Sequence, residues 1–370
     1  MAADIEKRLS QLRSRRDGRD RMAMDTAVFL EALTKSHPSA EAWESRSQKP
    51  HTRYAIGAMQ PVSETYTRVS IETAHRVANQ LRDHLSKAGL AVEFRLQGSV
   101  PLDVHIRRVS DVDLLTIDSD FLTYMTHGAK ARRGGYSTTT KTTVGVLSQL
   151  RTQIEISLDA AFPTAQVDKS GAKAVSISGG SLPRSVDVVP AHWLDSLDYQ
   201  TTEDENERGI EIYNKYIHQT IVNYPFLHIS RIKHRCVSIG GGLRKAIRLC
   251  KNVKADSDRD IKLPSFDIAA MMYHADMSAL WVGQYLELAV LAETQRFLDM
   301  LATGQEYAKT LMVPDGSRAI FDTPEKLTAL VQLSVEMDDL LKNVYKENTL
   351  EKAQAESFST IRNAVQLLSI

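Results

Sequence analysis

The sequence predicts an α+β protein, a mixed sheet with helices followed by a carboxy-terminal helical lobe. Three observations carry this: a long amphipathic run from Val62 to Ala88, four short strand-like runs after it, and almost wholly helix-like patterning beyond Pro190.

Each element follows from local pattern. Ile5, Leu9 and Leu12 fall at helical spacing, and Met22 to Leu33 continues with mixed apolar and charged residues, so the amino-terminal region is expected to be helical until His37-Pro38 ends it. A polar connector, Glu41 to Thr52, follows. In the long run Ser63 is a candidate cap, while Val69, Ile71, Ala74, Val77, Ala78, Leu81 and Leu85 form an apolar stripe and Gly89 stops the helix. The strand-like runs are Val92 to Leu96, Val112 to Ile117, Ala174 to Ile177 and Val186 to Val189. Val144 to Ala161 reads two ways: Val146, Leu147 and Leu150 begin like a helix, whereas Ile154, Ile156 and Leu158 alternate like a strand. The later helical candidates are Leu243 to Lys254, Ser265 to Leu280, Gly283 to Leu301, Pro324 to Lys346 and Glu351 to Leu368. Asp322-Thr323-Pro324-Glu325 offers a capping side chain and a first-turn proline. The expected divisions are a helical segment over residues 1–60, a catalytic core over 61–205 and a helical domain over 206–370.

With 42% apolar and 25% charged residues in 370, the chain falls in the globular range. No apolar stretch is long enough to cross a bilayer, and Met1 to Arg16 is polar, so a cytoplasmic protein without a membrane partner is expected. Cys236 and Cys250 are too few for a disulfide framework or a cysteine-rich zinc site. Cations and anions both number 46, which gives no reason to expect a nucleic-acid polymer as partner. Locally, however, Arg231, Lys233, Arg235, Arg244, Lys245, Arg248, Lys251 and Lys254 occur without an intervening acid, a stretch suited to an anion.

The chemistry is carried by acids. Gly98-Ser99 follows one strand, and Asp111-Val112-Asp113 opens the next; residues i and i+2 of a strand share a face, so both carboxylates project to one side while Val112 and Leu114 face the core. Asp187, between Val186 and Val188-Val189, sits on an apolar strand where an unpartnered charge is costly. Three hard oxygen donors suit two Mg²⁺ ions, with Mn²⁺ as an alternative, and a two-metal clamp of this kind performs nucleotidyl transfer. Gly98 lets the backbone approach a triphosphate, and Ser99 can donate its hydroxyl and amide to phosphate oxygens. Either motif alone is common in turns and on surfaces; their combination on successive strands is what is specific.

On these residues the sequence resembles the DNA polymerase β-like nucleotidyltransferase superfamily, and more closely the cGAS/DncV-like nucleotidyltransferases (CD-NTases), over roughly Tyr66 to Tyr273. Gln97-Gly98-Ser99 with Ser110-Asp111-Val112-Asp113-Leu114-Leu115 is similar to the first motif, Ser185 to Ala191 to the third-carboxylate strand, and the Val62 to Ala88 helix to the spine helix. The resemblance implies a polymerase β-like core with catalytic, metal-binding Asp111, Asp113 and Asp187. It also implies a triphosphate-binding Lys251 on the helix Leu243 to Lys251, Ser265 on the triphosphate and Phe266 stacked on a base. Substrates would be nucleoside triphosphates, ATP among them and GTP or others as alternatives. The product would be a cyclic di- or trinucleotide, made with release of pyrophosphate in CBASS antiviral defence and with CBASS accessory proteins as further partners. Two other readings stand beside it: a superfamily member that modifies RNA, a protein or a small molecule, and a catalytically silent nucleotide-binding scaffold.

Other conspicuous residues read as structural. His105, Arg107 and Arg108 fit an exposed loop. Gly240-Gly241-Gly242 lacks the Lys-Ser or Lys-Thr ending of a phosphate-binding loop and reads as a turn. Glu203, Asp204, Glu205 and Glu207 read as a solvated loop.

Overall fold

In the computed structural model, residues 4–17, 41–107, 111–281, 283, 285–349 and 356–370 are described. Met22 to Leu33, His37-Pro38, Arg108, Ser110 and the start of the Glu351 to Leu368 run lie outside them. The chain divides into two compact units, one comprising Ser63–Leu102 and Ser110–Arg231, the other Met1–Val62, Asp103–Val109 and Ile232–Ile370. Among the described residues no helix is long and apolar enough to cross a membrane.

The first unit holds the mixed sheet. Its strands are β1 (Val92–Gln97), β2 (Val112–Tyr124), β3 (Gln166–Asp168), β4 (Val175–Ser178), β5 (Val186–Asp195), β6 (Gly209–Asn214) and β7 (Gln219–Asn223). Along the path β1-β2-β5-β4-β3, only β2 and β5 run parallel; β6 pairs with the far half of β5, and β7 with β6. The expected long helix forms as Glu64–Lys87, with the Ser63 side chain accepting from the Tyr66 amide and Gly89 at φ +76° just past the end. The ambiguous stretch is a helix, Thr143–Ala161: Leu147, Leu150, Ile154 and Leu158 are fully buried on one stripe, and Ile156 is 55% exposed. A strand would have turned Ile156 inward beside Ile154 and Leu158. Both helices pack on the sheet face formed by Val112 and Leu114 of β2 and Val186 and Val188 of β5.

Beyond Pro190 the expectation of almost wholly helical structure is corrected. β5 runs on to Asp195, and β6 and β7 form a hairpin against it, burying Ile210 and Ile212 beneath Trp193, Ala191 and Leu115. The Ser265 to Leu280 run breaks into two helices, Ser265–Met272 and Met277–Leu280, the second opened by the Asp276 side chain accepting from the Ser278 and Ala279 amides. Pro324–Asn348 begins as expected with proline in its first turn, but Thr323 makes no side-chain cap bond; its side chain is hydrogen-bonded with Glu325 instead.

The second unit is helical. Its central helix, Gly242–Asp256, starts after Gly240 and Gly241, both at positive φ, and a Cβ at Gly242 would lie 1.9 Å from the Leu280 carbonyl oxygen. The glycine run is therefore a turn, as expected, made tight by a crossing backbone. Arg15 pairs with Asp256, which also accepts from the Tyr54 hydroxyl at 2.8 Å. Glu287, 3% exposed, is bound by Lys245 at 2.7 Å, by the Gln60 amide at 2.9 Å and by Arg46. Burial disfavours the Glu287 charge, yet the hydrogen bonds and charge of these partners outweigh it and hold its pKa below the usual 4.5. A depressed folded-state pKa stabilises above the unfolded value and is lost as pH falls through the folded one. Acid unfolding followed by circular dichroism should therefore show stability falling below pH 4.5, and Glu287→Gln should be less stable at neutral pH with a flatter acid limb.

Candidate active site

Pleat and register build the site in the sheet unit. Val112, Leu114, Val186 and Val188 face the two helices, so alternation turns Asp113 and Asp187 to the opposite face. The two acids are direct partners across the parallel β2–β5 pair, and Gln97 at the end of β1 is the partner of Asp113 on its other side. Adjacent strands lie about 4.8 Å apart, which sets two carboxylates side by side. Asp111 precedes β2, is exposed, and accepts a hydrogen bond from the Ser185 hydroxyl.

Gly98 follows β1 at φ +76°, and an added Cβ would fall 2.2 Å from Asp113 Oδ2. The turn thus presses its backbone against the carboxylate in a way only glycine allows. Ser99, half-buried, comes next. Asp187 has its pKa raised, first by burial and then by the negative charges of Asp111 and Asp168, while a hydrogen bond with Ser176, its partner on β4, acts the other way. The structure therefore brings Gly98, Asp111, Asp113 and Asp187 together in one unit, as the motif spacing predicts. Ser176, Ser185 and Asp168 were missed. Ser185 stands immediately before the Asp187 strand and Ser176 alternates with Val175 and Ile177, but only register shows that they meet the acids.

The donor set fits a hard divalent cation in its chemistry. Like charges converge at the starts of two neighbouring strands, and the pKa of Asp187 is raised first by burial and then by repulsion, both of which a bound cation would offset. Among the described residues, no three His, Cys, Asp or Glu side chains are already drawn together closely enough to hold a metal ion.

The remaining predicted residues belong to the helical unit. Ser265 is the first residue of its helix, and Phe266 is 39% exposed with Arg318 5.5 Å from its ring centre, so Phe266 is not a core residue. Lys251 is only 2% exposed, and its Nζ donates to the Val104 carbonyl at 2.8 Å. An ammonium placed there holds backbone, whereas the family resemblance implies a place on phosphate. The basic stretch around it is likewise largely used internally: Arg235 donates to the Tyr273 carbonyl, Lys245 pairs with Glu287, Arg248 donates to the Asp103 carbonyl and Lys254 to that of Leu263. His105, expected on an exposed loop, is 1% exposed. Cys236 and Cys250 are buried free thiols, and burial pushes that of Cys250 up to about 12.

No part of this sheet needs clustered acids in order to fold; their repulsion is tolerable where a reaction uses it. No family model matches the chain. It is 46% identical over 314 residues, 84% of its length and 81% of the relative's, to the cyclic dinucleotide synthase CdnE of Yersinia aleksiciae. It is 30% identical over 311 residues, 78% of its length and 86% of the relative's, to a c-di-GMP synthase of a Lachnospiraceae bacterium. Among solved structures, the STING-associated CdnE c-di-GMP synthase of Capnocytophaga granulosa superposes with a TM-score of 0.70 at 27% identity, covering 92% of this chain and 98% of that one. The chain belongs to the CD-NTase family of nucleotidyltransferases, together with the CdnE cyclic dinucleotide synthases.

Proposed function

We propose that this enzyme joins two nucleoside triphosphates into a cyclic dinucleotide, forming two phosphodiester bonds and releasing two pyrophosphates, with Asp111, Asp113 and Asp187 as its metal-binding carboxylates. The observation that carries this is the in-register pair Asp113 and Asp187 beside Asp111, behind the Gly98 turn. Mg²⁺ bound there, or Mn²⁺ in its place, would activate the attacking hydroxyl and neutralise the leaving pyrophosphate. The chain's own residues do the rest. Asp187, with its raised pKa, takes the proton of the attacking ribose hydroxyl at its carboxylate. The Gly98 turn admits triphosphate backbone-close, and Ser99 donates to it.

Ser265 donates to phosphate from a helix start, and the exposed ring of Phe266 takes a base. Lys251 acts through the loop whose carbonyl it holds. The name of the Lachnospiraceae relative supports c-di-GMP as the product, and the family resemblance supports a role in CBASS defence with its accessory proteins.

Purified protein incubated with Mg²⁺ and ATP, GTP or both, with products read by mass spectrometry, tests this. A cyclic dinucleotide that disappears in the Asp111→Ala, Asp113→Ala variant is expected, c-di-GMP appearing from GTP alone. Label appearing only on an added RNA, or nucleotide binding without pyrophosphate release, would overturn it.

A further inference from the structure

Between Gly98-Ser99 and Asp111 the chain passes through a turn with unusual support. Asp103 sits at φ +56°, in the left-handed region that a non-glycine residue occupies only at a cost. Two cations one turn apart on the helix Gly242–Asp256 hold two successive carbonyls there. Arg248 donates to Asp103 O at 2.6 Å and lies 3.3 Å from its carboxylate, and Lys251 donates to Val104 O at 2.8 Å. Arg248 is 4% exposed and also donates through Nε to the Met59 carbonyl at 2.8 Å. Burial lowers its pKa to about 10, which leaves it charged at neutral pH. A buried guanidinium spent on backbone carbonyls is expensive unless the conformation it enforces is needed. The conformation it enforces here is a strained one, in the segment that joins the two halves of the catalytic motif.

We propose that Arg248 is a positioning residue for nucleotidyl transfer, which holds Asp103 in its left-handed turn and thereby fixes the chain that leaves Gly98-Ser99. This rests on the reading of Gly98, Asp111 and Asp113 as the reacting site. Releasing the clamp lets the turn relax to negative φ, so that only a fraction of molecules carry the competent loop.

The test uses the full-length protein with Mg²⁺ and triphosphates, with pyrophosphate release assayed below the lowest Tm of the set. Arg248→Gln is expected to lower kcat about tenfold with a smaller change in KM, as expected when the competent population falls. Adding Asp103→Gly, which accepts positive φ freely, is expected to recover most of that loss, whereas adding Asp103→Ala recovers none. A purely structural role for Arg248 predicts no difference in kcat between the glycine and alanine forms. Wild-type kcat in Arg248→Gln, or equal kcat for Gly and Ala at position 103 in that background, would overturn the proposal. Should Arg248→Gln fail to fold, the same comparison at position 103 beside the native Arg248 decides it: a lower kcat for alanine supports the clamp, and equality overturns it. Turnover retained by the Asp111→Ala, Asp113→Ala variant would instead overturn the reading of the site, whatever Arg248 does.

Discussion

Asp113→Ala is expected to lower pyrophosphate release by at least about 10²–10³-fold, the scale of losing one preorganised electrostatic contact in a transition state. Asp113 is set in register between Gln97 and Asp187, and no neighbouring carboxylate occupies its position on β2. Asp113→Asn, which keeps the shape and removes the charge, should be nearly as inactive, because phosphoryl transfer needs anionic donors at that face. Stability should move the other way. The charge of Asp111 already raises the pKa of Asp187, so removing an acid from this cluster relieves repulsion in the metal-free protein. Differential scanning calorimetry in chelator should therefore give Asp111→Asn a Tm equal to or above that of the wild type. A clear fall would mean that the acids stabilise the fold and do not strain it.

The second large effect is expected at Gly98. Alanine there must adopt φ +76°, a backbone cost of about 1–2 kcal/mol, and its Cβ would lie 2.2 Å from Asp113 Oδ2, so the carboxylate has to move. A displacement of about 1 Å in a catalytic group costs on the order of 10²-fold in rate, which is the loss of kcat expected for Gly98→Ala. Gly89 supplies the control. It has the same φ of +76° but nothing within 4 Å of an added Cβ, so Gly89→Ala should show the backbone destabilisation with activity retained. If both variants lose equal stability and equal activity, the turn at Gly98 acts only through folding, and its contact with Asp113 has no catalytic meaning.

Much of the sheet unit was legible in the sequence because it is written in short-range pattern. Ser63 caps, Gly89 stops, and Asp113 faces away from Val112 and Leu114 because these outcomes depend on residues a few positions apart. The hairpin of β6 and β7 was not legible. Gly209–Asn214 and Gln219–Asn223 are short and mix polar with apolar residues, and they become strands by pairing with the far half of β5 and with each other. The two readings of Thr143–Ala161 were separated by which of Ile154, Ile156 and Leu158 found a partner, which is likewise a matter of packing.

The sequence by itself placed a Gly-Ser turn, Asp113 and Asp187 on strands and Asp111 just ahead of the first of them, and so pointed to metal-assisted nucleotidyl transfer, since period two dictates the face each strand-borne acid takes. Tertiary structure decided which charges are available for that reaction. Read along the chain, Lys251 and Arg248 belong to a basic stretch suited to an anion, and they are buried because the carbonyls of Asp103 and Val104, distant in sequence, come to lie over them. A cation's hydrogen-bond partners are set by what folds against it, and local pattern carries no record of that.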